Sequence, residues 1–91
     1  MEFEWDEHKN HINWQRHGVS FDEASTVFGD PLSITIDDPL HSTIEERFVI
    51  IGMSAHARLL VVIFTERGDR LRIISARVAT RRERRDYDAA E

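Results

Sequence analysis

Apolar and polar positions alternate with two different periods along this chain, and the change of period divides it into a helical first third and a strand-rich remainder. The stretch "WDEHKNHINWQRHGVSF" (5–21) reads as a helix starting near Asp6 and stopping at His17. Gly18 suits the left-handed position after a helix, and His17 suits the negative helix end. Its apolar residues form no single stripe. Asp6, Lys9, Asn13 and His17 instead fall within about 80° of one another on the helical wheel, with Trp5 and Ile12 to one side and Trp14 to the other. "SFDE" (20–23) has the form of a capping box, Ser20 capping and Glu23 reaching back. A second helix follows, with Phe21, Ala24, Val27 and Phe28 on one face, and "GDP" (29–31) ends it.

Period-two patterning then predicts four strands: 32–37, 47–53, 58–64 and 70–77, with an acidic loop over 37–46 and a turn at "ERGD" (66–69). "RLLVVIF" (58–64) is apolar without alternation, so it belongs in the middle of the sheet, covered on both faces. Short connections make an antiparallel meander the simplest arrangement. "TRRE" (80–83) is a second capping box and opens a third helix to about residue 90. That helix offers only Tyr87 and two alanines as apolar surface, and Arg81, Arg82, Arg84 and Arg85 crowd its positive end against the macrodipole. Pairs such as Arg82 with Asp86 and Arg84 with Asp88 offset this by a few tenths of a kcal/mol at about 0.3 each. The expected fold is α+β: two N-terminal helices, a four-stranded antiparallel sheet with one face partly open, and a C-terminal helix, in one domain over residues 1–91.

Charge sharpens this picture. The net charge of −5 is split unevenly: residues 1–65 carry four basic and eleven acidic residues, whereas 66–91 carry eight arginines against six acids. Lys9 is the one lysine among twelve basic residues. Arginine suits planar, bidentate contact with phosphate or carboxylate, so the arginine-rich end points to an anionic partner, with a solvated face of ion pairs as the plainer reading. With no cysteine, a disulfide scaffold and a cysteine-ligated zinc site are excluded. No apolar run approaches the roughly 18 residues of a membrane span, and the acidic start lacks a signal-peptide pattern, so a cytoplasmic, non-membrane protein is expected.

The chemistry-bearing residues are mostly arginines. Arg47 opens the second strand; Arg70, Arg72 and Arg77 lie on the fourth. Strict alternation separates Arg77 from the other two, but "RIISAR" breaks the alternation at Ile73–Ile74, and a bulge there brings Arg77 round to the same face. Fixed guanidinium groups on an open sheet face stabilise a pentacovalent phosphorane without a metal. Pairing of Glu45 or Glu46 with an arginine to hold the loop is the competing reading. His8 and His11 stand one helical turn apart, but no matched second pair completes a metal site. No nucleophile elbow and no phosphate-binding glycine loop is present, and no cofactor is expected.

"FEWDEHKNHINWQRHGVSFDEASTVFGDP", "EERFVIIG" and "RIISARVATRRERRDY", in that order over residues 3–87, resemble the BrnT family. Phe3, Trp5, Asp6, Lys9, Asn13, His17 and Gly18 fall on its first motif, Glu45, Arg47 and Gly52 on the middle one, and Arg72, Ser75, Arg77, Glu83 and Tyr87 on the last. Arg16 departs from the pattern, where the family often has lysine. The resemblance implies the toxin of a type II toxin–antitoxin pair, with a fold similar to RelE-type ribonucleases and an activity of RNA cleavage that inhibits translation. Its implied partner is a BrnA-like antitoxin, in a 2:2 complex that reaches operator DNA only through the antitoxin. On this reading the catalytic set is Arg72, Arg77 and Arg47 as cations, Glu45 as base, His17 as acid, and Tyr87 stacking on a base or donating a proton. Lys9, Arg70, Arg81, Arg82 and Arg85 are the RNA-binding set. The polar line of the first helix is either structural, with Asn13 bonding a neighbouring loop, or an edge of the RNA site. The rival reading is a non-catalytic module that docks an acidic antitoxin segment or DNA and serves as a co-repressor subunit. A third is metal binding through His8 and His11.

Overall fold

In the computed structural model residues 1–38 and 45–90 are described; the central part of the acidic loop expected over 37–46 lies outside them. The order of elements is β1 (Glu2–Glu4), α1 (Glu7–His17), α2 (Phe21–Ser25), a 3-10 turn (Thr26–Gly29), β2 (Ile34–Asp37), β3 (Arg47–Met53), β4 (Leu59–Arg67), β5 (Arg70–Val78) and α3 (Arg81–Ala89). The expected four-stranded antiparallel sheet is corrected on two counts. The sheet has five strands, ordered β1-β5-β4-β3-β2, and it is mixed, because β1 runs parallel to β5. Three residues are too few to show a period, and the partner of β1 lies some seventy residues away, so local pattern carries no signal for it. The second helix is also shorter than expected, passing into the 3-10 turn at Thr26.

β4 is the central strand and has a core on each face. On one face Leu60, Val62 and Phe64 pack with Ile50, Ile73 and Ala76 beneath the helix layer of Val19, Phe21, Ala24 and Val27. On the other, Leu59 and Val61 pack with Ile51 and Tyr87. Tyr87 is 5% exposed and its hydroxyl donates to Asp30 Oδ2 at 2.6 Å. This one aromatic anchor, rather than an apolar stripe, seats α3 on the sheet. Asp30 also accepts from the backbone N–H groups of Met53 and Leu32. Burial pushes its pKa up, but these three donors outweigh that and hold it below the ordinary value.

α1 lies beside β5, and its buried Asn13 explains the placement. The Asn13 amide donates to Ala76 O at 2.8 Å and Val19 O at 2.9 Å, and accepts from Ala76 N at 3.1 Å. The side chain thus pairs with the peptide of Ala76 as a neighbouring strand would, satisfying backbone groups at a position that β1 does not reach. Of the two roles open for the polar line of α1, Asn13 takes the structural one. Asn13→Leu is expected to cost about 2–4 kcal/mol, since several buried backbone groups then lose partners at about 1–3 kcal/mol each; a denaturant midpoint measures this.

Gly18 takes the left-handed conformation (φ 65°) and closes α1 through its N–H to Trp14 O. Gly52 has a different reason: a Cβ there would meet Val27 O and Ser33 Cβ, each at 3.1 Å. Gly52→Ala is therefore expected to destabilise by about 1–3 kcal/mol through overpacking against the 3-10 turn, visible as a lower thermal midpoint with unchanged secondary structure.

Candidate nucleic-acid interface

A single irregularity in β5 brings Arg77 to the sheet face that carries Arg72. Between Phe64↔Ile73 and Ile63↔Ser75 the register of β4 and β5 shifts by one residue, so Ile74 is the extra residue of a bulge. Beyond it Ala76, like Ile73, faces the helix layer, and Arg77 shares a face with Ser75 and Arg72. Directly paired residues point to the same side of a sheet. Arg47 pairs with Thr65, Thr65 with Arg72, and Arg72 with Glu4, which gives a row Arg47–Thr65–Arg72–Glu4 across β3, β4, β5 and β1. Arg67, Arg70 and Glu2 form the next row towards the hairpin. Two inter-strand spacings place the Arg47 and Arg72 backbones about 10 Å apart, with the buried Thr65 between them.

Carboxylates hold the cations of this face. Arg72 Nη1 donates to Glu4 Oε2 at 2.8 Å, Arg70 lies 3.3 Å from Glu2 and Arg67 lies 3.6 Å from Glu45. Glu45, the expected base, is therefore beside Arg67, one row from Arg72. No local pattern in the sequence points to Glu4 as a partner of Arg72, nor to Thr65, whose hydroxyl donates to Glu46 O at 2.6 Å. Glu4 becomes visible only once β1 is known to lie beside β5.

Arg77 is set apart from Arg72. It stands opposite Val61, four residues along β4 from Thr65, which is about 13 Å along a strand. Its two terminal nitrogens hold Glu83 in a fork at 2.7 and 2.8 Å. Glu83 also completes the capping box, its side chain accepting from Thr80 N while Thr80 caps Glu83 N. This arrangement lowers the pKa of Glu83 to about 2, the Arg77 hydrogen bonds being the main cause. Since the unfolded-state value is near 4.5, the pair stabilises the fold above that pH, and the contribution disappears as pH falls from about 4.5 through about 2. With Arg77 42% exposed, screening reduces the effect to about 1–2 kcal/mol. Glu83→Gln is expected to remove most of that loss of stability between pH 5 and 2, as read by chemical denaturation at each pH.

The other expected site residues are dispersed. Arg81, Arg82 and Arg85 are exposed on α3, and among the described residues Arg82 and Arg84 form no ion pair with Asp86 or Asp88. Tyr87 is buried with its hydroxyl on Asp30, so no ring face is offered to a base. Lys9 and His17 are exposed on α1 and line a small pocket with Ser75 at the edge of β5. His8 and His11 are exposed, and among the described residues no group of three or more His, Asp or Glu is placed to hold a metal ion. No helix is long and apolar enough to cross a membrane, among the described residues.

A wider cleft of about 780 Å³ lies on the helix side and is lined by Trp14, Asn10, Glu23, His56 and Arg58, among others. Its polar groups serve the fold. Glu23, expected to reach back within its own capping box, instead turns to the β3–β4 loop. It accepts from Ser54 Oγ at 2.8 Å and Arg58 Nε at 2.9 Å, with His56 Nδ1 at 3.5 Å. In the cleft Arg58 is committed to Glu23, whereas the opposite sheet face carries Arg47, Arg67, Arg70, Arg72 and Arg77.

The family described as "Ribonuclease toxin, BrnT, of type II toxin-antitoxin system" matches residues 5–83. No curated protein matches the chain. The crystal structure of the Brucella abortus ribonuclease toxin BrnT is similar over 89% of this chain and 99% of that one, with 26% identity and a TM-score of 0.66. A match over residues 5–83 of 91, with a fold shared at that level, establishes that the chain belongs to the BrnT family of ribonuclease toxins of type II toxin–antitoxin systems.

Proposed function

We propose that this protein is an endoribonuclease that cleaves RNA through its own 2′-hydroxyl, without a catalytic metal, and that it uses the Arg47–Thr65–Arg72–Glu4 row to do so. The observation that carries this reading is the register, which brings Arg47 and Arg72 to one face on either side of Thr65. The phosphodiester seats between the two guanidinium groups. Glu4, released from Arg72 as phosphate replaces it, takes the proton of the 2′-hydroxyl. The 2′-oxygen bonds to phosphorus, the phosphorus–5′-oxygen bond breaks, and the departing 5′-oxygen takes a proton from water. The arginines hold the charge that develops on the non-bridging oxygens, where preorganised donors are worth most. Glu45 holds Arg67, and Arg67 and Arg70 guide the flanking backbone, with Arg81, Arg82 and Arg85 adding longer-range attraction. The resulting loss of RNA inhibits translation. A BrnA-like antitoxin neutralises the toxin in a 2:2 complex and carries it to operator DNA. The setting is cytoplasmic.

One observation favours the rival reading of a non-catalytic co-repressor subunit: Arg67, Arg70, Arg72 and Arg77 each already hold a carboxylate. Incubation of the purified protein with RNA in EDTA separates the two. The nuclease leaves 2′,3′-cyclic phosphate ends and spares RNA carrying 2′-deoxy at the scissile nucleotide. If neither free RNA nor mRNA in a translation extract is cut, the co-repressor reading stands and the nuclease reading falls.

A further inference from the structure

The geometry points to a second phosphate subsite at the edge of β5, in the pocket between α1 and the bulge, which receives a backbone phosphate of the same RNA strand beyond the scissile one. This rests on the nuclease reading of the arginine face. The pocket has a volume of about 170 Å³, and Lys9, Arg16 and His17 of α1 line it together with Ile12, Ile74 and Ser75.

Four features of this pocket fit a sugar–phosphate. Lys9, Arg16 and His17 lie at i, i+7 and i+8 on one helical face, so the two turns between them spread an ammonium, a guanidinium and an imidazole along about 12 Å. No carboxylate lines the pocket. Asp6, one turn back, caps α1 by accepting from Lys9 N at 3.1 Å, and neither Lys9 nor Arg16 forms a salt bridge among the described residues. The arginines of β4 and β5, in contrast, each hold a glutamate. Asn13 sits between the cations and fixes α1 to Ala76 through a buried pair of hydrogen bonds, so the distance from the cations to β5 is set by the fold. Finally, Ile12 and Ile74 supply an apolar floor suited to the sugar, beside the cations.

The bulge joins the two sites. Ser75 follows the extra residue, shares a face with Arg72 and Arg77, and also lines the pocket. A single strand leaving the Arg47–Arg72 row therefore crosses the edge of β5 at Ser75 and places its next phosphates against α1. β1 pairs with β5 only as far as Arg72, so it leaves this crossing point uncovered.

The test is equilibrium binding of an all-2′-deoxy oligonucleotide, which cannot be cleaved through a 2′-hydroxyl, measured over a series of salt concentrations. The double variant Lys9→Gln, Arg16→Gln is compared with wild type. Loss of two single-strand phosphate contacts is expected to reduce the slope of log K against log salt by about 1.4 and the affinity at low salt by about tenfold or more. Gln15→Glu, on α1 outside the pocket, is expected to leave the slope unchanged, and thermal midpoints confirm that all proteins are folded. A double variant with the wild-type slope and affinity overturns the subsite, as does a wild type that binds no oligonucleotide. Wild type that binds with the pocket-dependent slope but cleaves no RNA sustains the subsite and overturns the nuclease reading instead.

Discussion

Arg72→Ala is expected to lower the single-turnover rate of RNA cleavage by about a hundredfold or more, the cost of losing one preorganised donor to a developing oxyanion. Arg47→Ala is expected to match it, because the two flank Thr65 from β3 and β5. Glu4→Gln is expected to lose a similar factor, within the range of about 10²–10⁴ for a proton-transfer group. These losses are separable from unfolding. Glu4 and Arg72 are both about a quarter exposed, and a pair at such a position is worth about 1 kcal/mol or less, a shift of about 4–8 °C at most for a domain of this size. Arg82→Ala, at the outer surface of α3, weakens binding mildly and in a salt-dependent way. If Arg72→Ala and Arg47→Ala both cleave at the wild-type rate, the row is not the catalytic centre.

Arg58→Ala is expected to destabilise the fold on the same scale as Asn13→Leu. Glu23 is only 3% exposed in its side chain, and Arg58 contributes two nitrogens to it and a third contact to Gly18 O. The Arg58 hydrogen bonds are the main reason the Glu23 carboxyl stays below its ordinary pKa despite burial. Removing Arg58 strands a buried carboxylate beside Ser54, which costs about 3–5 kcal/mol in comparable sites. Arg58 is itself half-buried, so water admitted to the cleft places the expected value near 3 kcal/mol. Urea denaturation at pH 7 measures it. Glu23→Gln in the Arg58→Ala background is expected to restore part of the loss, since an amide carries no charge to strand; an Arg58→Ala protein as stable as wild type contradicts this account of the loop.

Local pattern made much of this legible. Capping residues Ser20 and Thr80, the left-handed Gly18 and the unalternating run of β4 all follow from chemistry within a few residues. The break at Ile73–Ile74 is also readable, because two adjacent apolar residues interrupt an otherwise alternating strand where a bulge can form. What was not legible depends on distant partners. β1 is three residues long and meets β5 some seventy residues away, so local pattern shows four strands and gives no sign that Glu4 lies beside Arg72. Glu23 has the right spacing for a capping box, yet Arg58, thirty-five residues on, outcompetes the local N–H. Tyr87 carries a motif match suited to a functional role, but Asp30 claims its hydroxyl and the sheet its ring. Arg77 and Arg72 share a face while serving different ends of it, a separation only the register reveals.

On the proposed reading, RNA lies on the arginine face of the sheet. Chemical-shift mapping with an all-2′-deoxy oligonucleotide tests it most directly. Shifts at Arg47, Thr65, Arg70, Arg72 and Ser75 are expected, continuing to Lys9 and Arg16 at the edge of β5. Shifts confined to the opposite cleft, at Trp14, His56 and Arg58, would contradict it.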